Sequence, residues 1–220
     1  MSKTQIIKRA QLSFAVIVTV FVQAASVIAA GTETLIVAGG CFWCVESDFE
    51  SVDGVQAAIS GYTGGSTKSP TYKQVSRGGT GHYEAVKILF DPDIVRRDQL
   101  LNKFFRSIDP TDAGGQFCDR GESYRAAVFV ATAAENQTAK NAVKAAQTDL
   151  GQKVVTPILK TQTFYDAEAY HQDYYKGKKI VLTRFGPKRQ SEAYKRYRKA
   201  CKRDERVKQL WGDSAPFVGD

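Results

Sequence analysis

A short apolar run that ends at two glycines and a cysteine constrains the fold more than any other stretch. Residues 35–38 are apolar and partly β-branched, which predicts a buried strand that ends at Gly39 and Gly40. After Cys41, apolar residues recur at helical spacing up to Val52. Cys41 is therefore predicted to lie where a strand turns into a helix. The free N–H groups and the helix dipole favour negative charge there, so we expect the Cys41 thiol to ionise and act as a nucleophile.

The first thirty residues have the layout of a secretory signal peptide. Basic residues precede an apolar run from residue 12 to residue 22, and small residues follow up to Ala30. We therefore expect export to the periplasm or another extracytoplasmic space, with a mature protein that begins near residue 30 or 31. An uncleaved membrane anchor is the alternative, because residues 12–30 form a stretch of 19 residues with few polar side chains.

The rest of the chain divides by charge. Residues 31–175 carry 14 Lys and Arg against 18 Asp and Glu, whereas residues 176–208 carry 14 against 3. We predict a catalytic domain over residues 31–175, a length expected to form one domain, and a basic C-terminal extension over residues 176–220. The extension is expected to be a solvated amphipathic helix, without a role in binding nucleic acid. The protein is expected to be a monomer.

Four cysteines in an exported chain would ordinarily indicate structural disulfides. Cys41 and Cys44, however, are only three positions apart on a predicted helix, and that spacing is more typical of a redox-active pair. A zinc site is disfavoured, because there is a single C-x-x-C sequence and only His82 and His171 could complete it. The cysteines therefore favour redox chemistry without a metal.

The apolar pattern predicts the element order strand, helix, strand, strand, helix, strand. After the first strand and helix, strands are predicted over residues 54–62, 82–90 and 124–131, helices over 94–108 and 132–150, a further strand over 154–159, and a short helix from Asp166 to Tyr174. This order is that of a split βαβ unit. The predicted fold class is therefore α+β, a two-layer ferredoxin-like sandwich with extra helices and a C-terminal basic tail.

The third predicted strand places a carboxyl group among apolar side chains. Alternation puts Glu84 on the same face as Val86 and Ile88. Burial would raise the pKa of Glu84, so that this side chain could deliver a proton at neutral pH. A strand-end carboxylate that reaches solvent is the alternative. A nucleophilic Cys41 beside such an acid suits attack on a sulfoxide sulfur, whose oxygen must leave protonated.

Several motifs closely resemble those of the methionine sulfoxide reductase A family. The matching stretches are Gly40-Cys41-Phe42-Trp43, Gly61-Tyr62-Thr63-Gly64-Gly65 with Pro70-Thr71-Tyr72, Gly81-His82-Tyr83-Glu84, Asp119-Arg120-Gly121-Glu122-Ser123-Tyr124-Arg125, Phe164-Tyr165, Ala167-Glu168 and Tyr170-His171-Gln172. They cover residues 35 to about 175 in the family's order and spacing. The resemblance implies reduction of the S epimer of methionine sulfoxide, free or in proteins, as repair after oxidative stress. It implies no metal or organic cofactor, and thioredoxin or another dithiol as reductant.

The resemblance also implies a role for each matching position around the sulfoxide oxygen. Cys41 corresponds to the nucleophile that becomes a sulfenic acid, and Glu84 to the acid that protonates the oxygen. Tyr72 and Tyr124 correspond to the hydroxyl donors that hold this oxygen. Without the family, either tyrosine could be an ordinary buried residue with a satisfied hydroxyl.

Three further positions match the substrate pocket of the family. Asp119 corresponds to a residue that binds the amide side of the peptide or orders water. Phe42 and Trp43 correspond to the walls of a pocket for the substrate methyl group. Taken singly, the two rings could be plain core aromatics and Asp119 a turn former.

The thiol that resolves the sulfenic acid is less constrained, because many family members carry resolving cysteines in a glycine-rich tail that this chain lacks. Cys44 is nearest, but on a regular helix its side chain lies one turn from Cys41. Cys118 borders Asp119, whose side chain must point at the substrate, so alternation would turn Cys118 away. Cys201 lies in the basic tail, where neighbouring Lys and Arg would favour its thiolate and a mobile tail could deliver it. We favour Cys201, with Cys44 and Cys118 as alternatives.

Two other functions fit parts of the sequence. A thioredoxin-like disulfide oxidoreductase would use Cys41 and Cys44 at a helix start, but its fold needs a proline loop facing the motif, and Pro70 is poorly placed for that. A disulfide-stapled module without enzymatic activity would use the basic tail to bind membranes or nucleic acid.

Overall fold

The computed structural model describes residues 31–219, and the leader predicted over residues 1–30 lies outside them. The strands are β1 (Glu33–Gly39), β2 (Val55–Thr63), β3 (Tyr83–Phe90), β4 (Gly115–Gln116), β5 (Asp119–Arg120), β6 (Ala126–Val130), β7 (Ile158–Lys160), β8 (Tyr165–Asp166), β9 (Ile180–Thr183) and β10 (Gly186–Arg189). The helices are α1 (Phe42–Glu50), α2 (Tyr72–Arg77), α3 (Arg97–Arg106), α4 (Ala133–Leu150), α5 (Gln190–Ala200) and α6 (Arg203–Trp211).

The central sheet has six strands in the order β7-β6-β1-β3-β2-β8. Strand β3 lies between β1 and β2 and runs antiparallel to both, while β6 runs antiparallel to β1. Helix α1 joins β1 to β2, which makes these elements a split βαβ unit. The predicted α+β class and the ferredoxin-like order of the four central strands are confirmed. Strand β7 extends the sheet parallel to β6, and β8 extends it at the other edge.

Local sequence signals explain the longest helix. The side chain of Thr132 accepts a hydrogen bond from the backbone N–H of Glu135, and the Glu135 side chain reaches back to the N–H of Thr132. This capping box satisfies donors that the helix itself leaves free. Gly151 ends the helix in the left-handed conformation, with φ of 62°. Helix α4 therefore begins and ends where the sequence predicts.

The region after β7 differs from the prediction of a short helix from Asp166 to Tyr174. Asp166 instead pairs with Gly61 at the edge of the sheet, and turns follow up to a 3₁₀ helix over Tyr174–Lys176. The side-chain amide of Gln172 accepts from the backbone N–H of Ser60 and donates to its carbonyl oxygen, so it pairs like a strand. This segment therefore pairs with the exposed edge of the sheet instead of forming the predicted helix.

The basic tail packs into the same core as the sheet. Strands β9 and β10 form a hairpin, and helices α5 and α6 follow it. Val207, Trp211 and Phe217 are buried in the apolar cluster that also contains Phe49 of α1. The expected solvated helix is thus a packed hairpin and two helices, and residues 176–219 belong to the same folded unit as the sheet. No helix among residues 31–219 is long and apolar enough to cross a membrane.

Candidate active site

Cys41 occupies the predicted junction between β1 and α1. It is the N-cap of α1, and its carbonyl oxygen accepts hydrogen bonds from the N–H groups of Cys44 and Val45. Gly40 allows the sharp turn, because its φ is +81° and a Cβ there would lie 2.6 Å from Cβ of Gln116. The sequence therefore places the Cys41 thiol at a fixed point above the sheet.

The thiol lies in a cavity of about 560 Å³. All ten residues predicted for the site line this cavity: Cys41, Phe42, Trp43, Cys44, Tyr72, Glu84, Cys118, Asp119, Tyr124 and Cys201. They come from α1, α2, β3, the loop around β5, a 3₁₀ turn and the end of α5. The fold thus brings residues 160 positions apart, Cys41 and Cys201, to one site.

The Cys41 and Cys44 thiols are neighbours in the cavity. Interaction with Cys44, burial, and the charges of Cys44, Glu84 and Asp119 raise the pKa of Cys41 well above its ordinary value. Interaction with Cys41 lowers the pKa of Cys44, and burial opposes this while Arg203 and Arg198 assist it. The surroundings of Cys41 therefore oppose the ionisation that the helix start favours. Carboxyl groups lie around Cys41 and guanidinium groups around Cys44, so the charges of the site disfavour a thiolate at Cys41 and favour one at Cys44.

Glu84 is buried beneath the first turn of α1, with 2% of its surface exposed. Its Oε2 accepts a hydrogen bond from the backbone N–H of Phe42 at 3.1 Å. Burial raises the pKa of Glu84 to about 8; the N–H of Phe42 opposes this shift and the charge of Asp119 adds to it. The structure therefore places a protonated carboxyl group beside Cys41 at neutral pH.

Two phenol groups flank Glu84 in the cavity. Tyr72 begins α2, where its backbone N–H donates to Oε1 of Glu168 at 2.9 Å. Tyr124 ends the 3₁₀ turn over Glu122–Tyr124 and lines the same cavity as Tyr72. Burial, followed by the charge of Glu84, raises the pKa of both tyrosines. Both hydroxyls therefore keep their protons and can donate to a substrate oxygen.

An aromatic wall holds the other side of the cavity. Trp43 stacks on Tyr174 at 3.8 Å between ring centroids, and its indole N–H donates to Nδ1 of His171 at 3.2 Å. Burial lowers the pKa of His171 to about 4, so this ring is neutral and can accept that hydrogen bond. Phe42 lies 5.1 Å from the His171 ring and is almost fully buried. Trp43 and Phe42 are thus fixed in position around an apolar recess.

Cys118 and Cys201 form a disulfide across the cavity, with a Cα–Cα distance of 4.9 Å. Cys118 is exposed and Cys201 is half-buried at the end of α5. An oxygen of Asp119 lies 3.8 Å from Sγ of Cys118. Burial raises the pKa of Asp119, and Arg203 and Arg184 oppose the shift. The tail therefore delivers Cys201 by packing rather than by the mobility that the sequence suggested.

Sequence reasoning missed two arginines that support the thiol pair from behind. Arg203 is 2% exposed and donates to the carbonyl oxygens of Gly39 and Ser107 at 3.1 and 2.9 Å. Arg198 is also buried and pairs with Asp48 at 2.6 Å. Both lie in the basic tail, whose uniform charge gives no signal of which cations turn inward. One feature of the sequence could have indicated a buried cation. Asp48 lies on the buried side of α1, and a buried carboxyl group requires a partner.

Two groups of three ligand-type side chains occur within residues 31–219, each with ligand atoms no more than 4.8 Å apart. In Cys118, Asp119 and Cys201, the two sulfurs are already bonded to each other. In Glu46, Glu50 and Asp173, the ammonium group of Lys176 already contacts Glu50 and Asp173. Neither group presents a free set of ligands.

Comparison with known proteins decides the family. The family model for peptide methionine sulfoxide reductase matches residues 33–215. The chain belongs to this family. The match spans the sheet, the cavity and most of the tail, so the predicted family and enzyme class are confirmed.

Individual relatives agree with this assignment. The chain is 48% identical over 181 residues to peptide methionine sulfoxide reductase MsrA 2 of Caulobacter vibrioides, covering 82% of this chain and 86% of the relative. It is 42% identical over 181 residues to MsrA of Bacillus subtilis, covering 80% and 93%. Among solved structures, methionine sulfoxide reductase A of Corynebacterium diphtheriae matches with a TM-score of 0.64 and 33% identity, over 66% of this chain and 74% of that one. Mxr1 of Saccharomyces cerevisiae in reduced form matches with a TM-score of 0.64 and 29% identity, over 67% and 86%.

The peptide methionine sulfoxide reductase family accounts for features that the competing functions do not. A thioredoxin-like enzyme has no use for the buried Glu84 carboxyl beneath Cys41. A binding module without enzymatic activity has no use for a cavity that brings Glu84 and all four cysteines together. The functional residues therefore form a reductase site.

Proposed function

We propose that this protein reduces the S epimer of methionine sulfoxide, free and in proteins, to methionine, with Cys41 as nucleophile and Glu84 as acid. The observation that carries the proposal is the Glu84 carboxyl, buried at the first turn of α1 with its pKa raised to about 8. A carboxyl group that stays protonated at neutral pH is what departure of the sulfoxide oxygen requires. Membership of the family supports the substrate class.

The first chemical step reduces the substrate and oxidises Cys41. Glu84 protonates the sulfoxide oxygen, which the hydroxyls of Tyr72 and Tyr124 hold. The sulfur of Cys41 attacks the substrate sulfur and forms a sulfur–sulfur bond, as the thiol proton passes to the neighbouring Cys44. The sulfur–oxygen bond breaks and the oxygen leaves as water, with one proton from Glu84 and one from Cys44. Water then attacks the Cys41 sulfur, the sulfur–sulfur bond breaks, methionine leaves with the electron pair, and Cys41 becomes a sulfenic acid. Cys41 is thus oxidised by two electrons and the substrate is reduced by two.

The aromatic recess supplies substrate recognition. Phe42 and Trp43 offer apolar surface to the methyl and sulfur of the substrate, and polarisable sulfur favours aromatic edges. Stacking on Tyr174 and the bond to His171 hold the Trp43 ring ready before substrate arrives. Asp119, which also lines the cavity, would bind the amide side of the peptide or order water.

The second step uses the Cys118 and Cys201 pair. The Cys201 thiol attacks the sulfenic sulfur of Cys41, which releases water and forms a disulfide. The Cys118 thiol then attacks Cys201, which returns Cys41 as a thiol and leaves the Cys118–Cys201 disulfide seen in the structure. Access supports this order, because Cys201 is half-buried whereas Cys118 faces solvent. Cys44 takes no part in this disulfide exchange.

The reductant in this proposal is thioredoxin or an equivalent dithiol. A dithiol can reach the exposed sulfur of Cys118, form a mixed disulfide there and leave oxidised, with both enzyme thiols restored. The cycle needs no metal or organic cofactor. We also propose that the protein acts as an exported monomer that repairs oxidised proteins, on the basis of the leader layout over residues 1–30. Mass spectrometry of the natural product tests export, since an intact Met1 on a cytoplasmic protein would contradict it.

The test of the activity is turnover on resolved R and S methionine sulfoxide with thioredoxin as reductant. We expect the wild-type protein to consume the S epimer and to leave the R epimer. Cys41→Ser should abolish turnover, because a hydroxyl cannot form the sulfenic acid. Wild-type protein that ignores the S epimer, or a Cys41→Ser variant with full activity, would overturn the proposal.

A further inference from the structure

The hairpin of β9 and β10 exposes two large apolar side chains beside the cavity. Ile180 is 75% exposed and Leu182 is 86% exposed. They alternate with Val181 and Thr183, which are half-buried, so Ile180 and Leu182 lie on the same outward face. Single exposed apolar residues are common, but a pair on one strand next to a catalytic cavity marks a surface for binding.

This hairpin is continuous with the candidate active site. Leu182, Thr183 and Arg184 line the same cavity as Cys41. The hairpin is also held in place, because Phe185 packs edge-on against Tyr197 at 5.5 Å between centroids. The hairpin is therefore an ordered wall of the site.

Strand β9 also has a backbone edge that can bind an extended chain. It pairs with β10 along one edge only, and no other strand of residues 31–219 pairs with its second edge. Its backbone donors and acceptors on that edge can pair with an added extended chain. Exposed cations surround the strand, with Lys178 and Lys179 before it and Arg184 and Arg189 after it, and no ion pair holds these four among the described residues.

We propose that the hairpin docks the polypeptide that flanks the substrate methionine sulfoxide, in extended form along β9. This inference rests on the proposed function, because the sulfoxide side chain must enter at Cys41 while its main chain leaves over the rim. The chemistry selects an extended segment with apolar residues to cover Ile180 and Leu182 and acidic residues to face the cations. Such segments are exposed in unfolded proteins.

Single-turnover kinetics without thioredoxin test this surface. The variant is Ile180→Ser with Leu182→Ser, and the matched control is Ile94→Ser, since Ile94 is 65% exposed and lies outside the cavity. The substrates are free S methionine sulfoxide and an oxidised peptide with Leu and Glu on both sides of the sulfoxide. We expect the second-order rate constant for the peptide, divided by that for the free amino acid, to fall about tenfold in the double variant, a change of about 1.4 kcal/mol, and to stay the same in Ile94→Ser.

A binding measurement keeps this test separate from the proposed activity. In a Cys41→Ser background, the labelled oxidised peptide should bind about tenfold more weakly when Ile180 and Leu182 are both Ser, and unchanged when Ile94 is Ser. Equal binding by all three proteins would overturn the docking surface, whatever the activity. A double variant with normal peptide affinity and a raised KM for thioredoxin would assign the hairpin to the reductant and would also overturn it. Wild-type protein inactive on both substrates would instead contradict the proposed function.

Discussion

The backbone N–H of Phe42 donates a hydrogen bond to Oε2 of Glu84 at 3.1 Å, one residue after Cys41. Through this bond, the acid from β3 and the nucleophile at the start of α1 are fixed relative to each other. The same donor also belongs to the free N–H groups of the helix start, so Glu84 satisfies a group that α1 leaves open. This one hydrogen bond therefore satisfies a free donor at the start of α1 and also positions the acid next to the nucleophile.

Replacing Cys44 should change the acidity of Cys41. The Cys44 thiol is the largest cause of the raised Cys41 pKa, so Cys44→Ala should lower that pKa. The measurement is the rate of Cys41 alkylation against pH in a background where Cys118 and Cys201 are both Ser. A Cys41 pKa that stays the same or rises in Cys44→Ala would contradict the assigned pairing.

Resolution should depend on Cys201. After one equivalent of sulfoxide, wild-type protein should lose two thiols and recycle with thioredoxin, whereas Cys201→Ser should retain a sulfenic acid at Cys41. Cys118→Ser should form a Cys41–Cys201 disulfide instead. Thiol counts and peptide mapping distinguish these species. If Cys201→Ser loses two thiols and turns over at the wild-type rate, Cys201 is not the resolving residue.

Arg203 should stabilise the folded protein in addition to supplying positive charge near Cys44. Arg203→Met removes the donors to Gly39 and Ser107 and leaves the buried Asp48 with one cation fewer. We expect a loss of about 3–5 kcal/mol in the free energy of unfolding, typical of breaking a buried charged group. The control is Lys195→Met on the exposed face of α5. Denaturant curves that show the same stability for both variants would exclude this role.

The features that could be predicted from the sequence are those that depend on short local patterns. Alternation along β3 places Glu84 on the buried face, and the glycine pair before Cys41 marks the turn into α1. Thr132 and Glu135 mark the start of α4 in the same way. Each of these patterns lies within a few residues, so it can be recognised without knowledge of the fold.

The parts that could not be predicted depend on contacts distant in the chain. Gln172 takes part in the sheet edge because Ser60 is free to pair with it, 112 positions away. The Cys44 thiol, three positions away, is the largest cause of the raised Cys41 pKa, but Glu84 and Asp119 add to it only because the fold brings them near. The burial of Arg203 likewise could not be predicted, because it depends on how the tail packs against the rest of the fold.

The most direct test of the account is the single-turnover rate on S methionine sulfoxide, measured from pH 6 to pH 9.5 for wild type and Glu84→Gln. Glu84 has its pKa raised to about 8, and only the protonated form acts, so the wild-type rate should fall as pH rises through about 8. Glu84→Gln should be slower by about 10²-fold or more at neutral pH, since an amide cannot deliver a proton, and should lack that fall. A Glu84→Gln rate within about threefold of wild type, with the same decline above pH 8, would contradict the account.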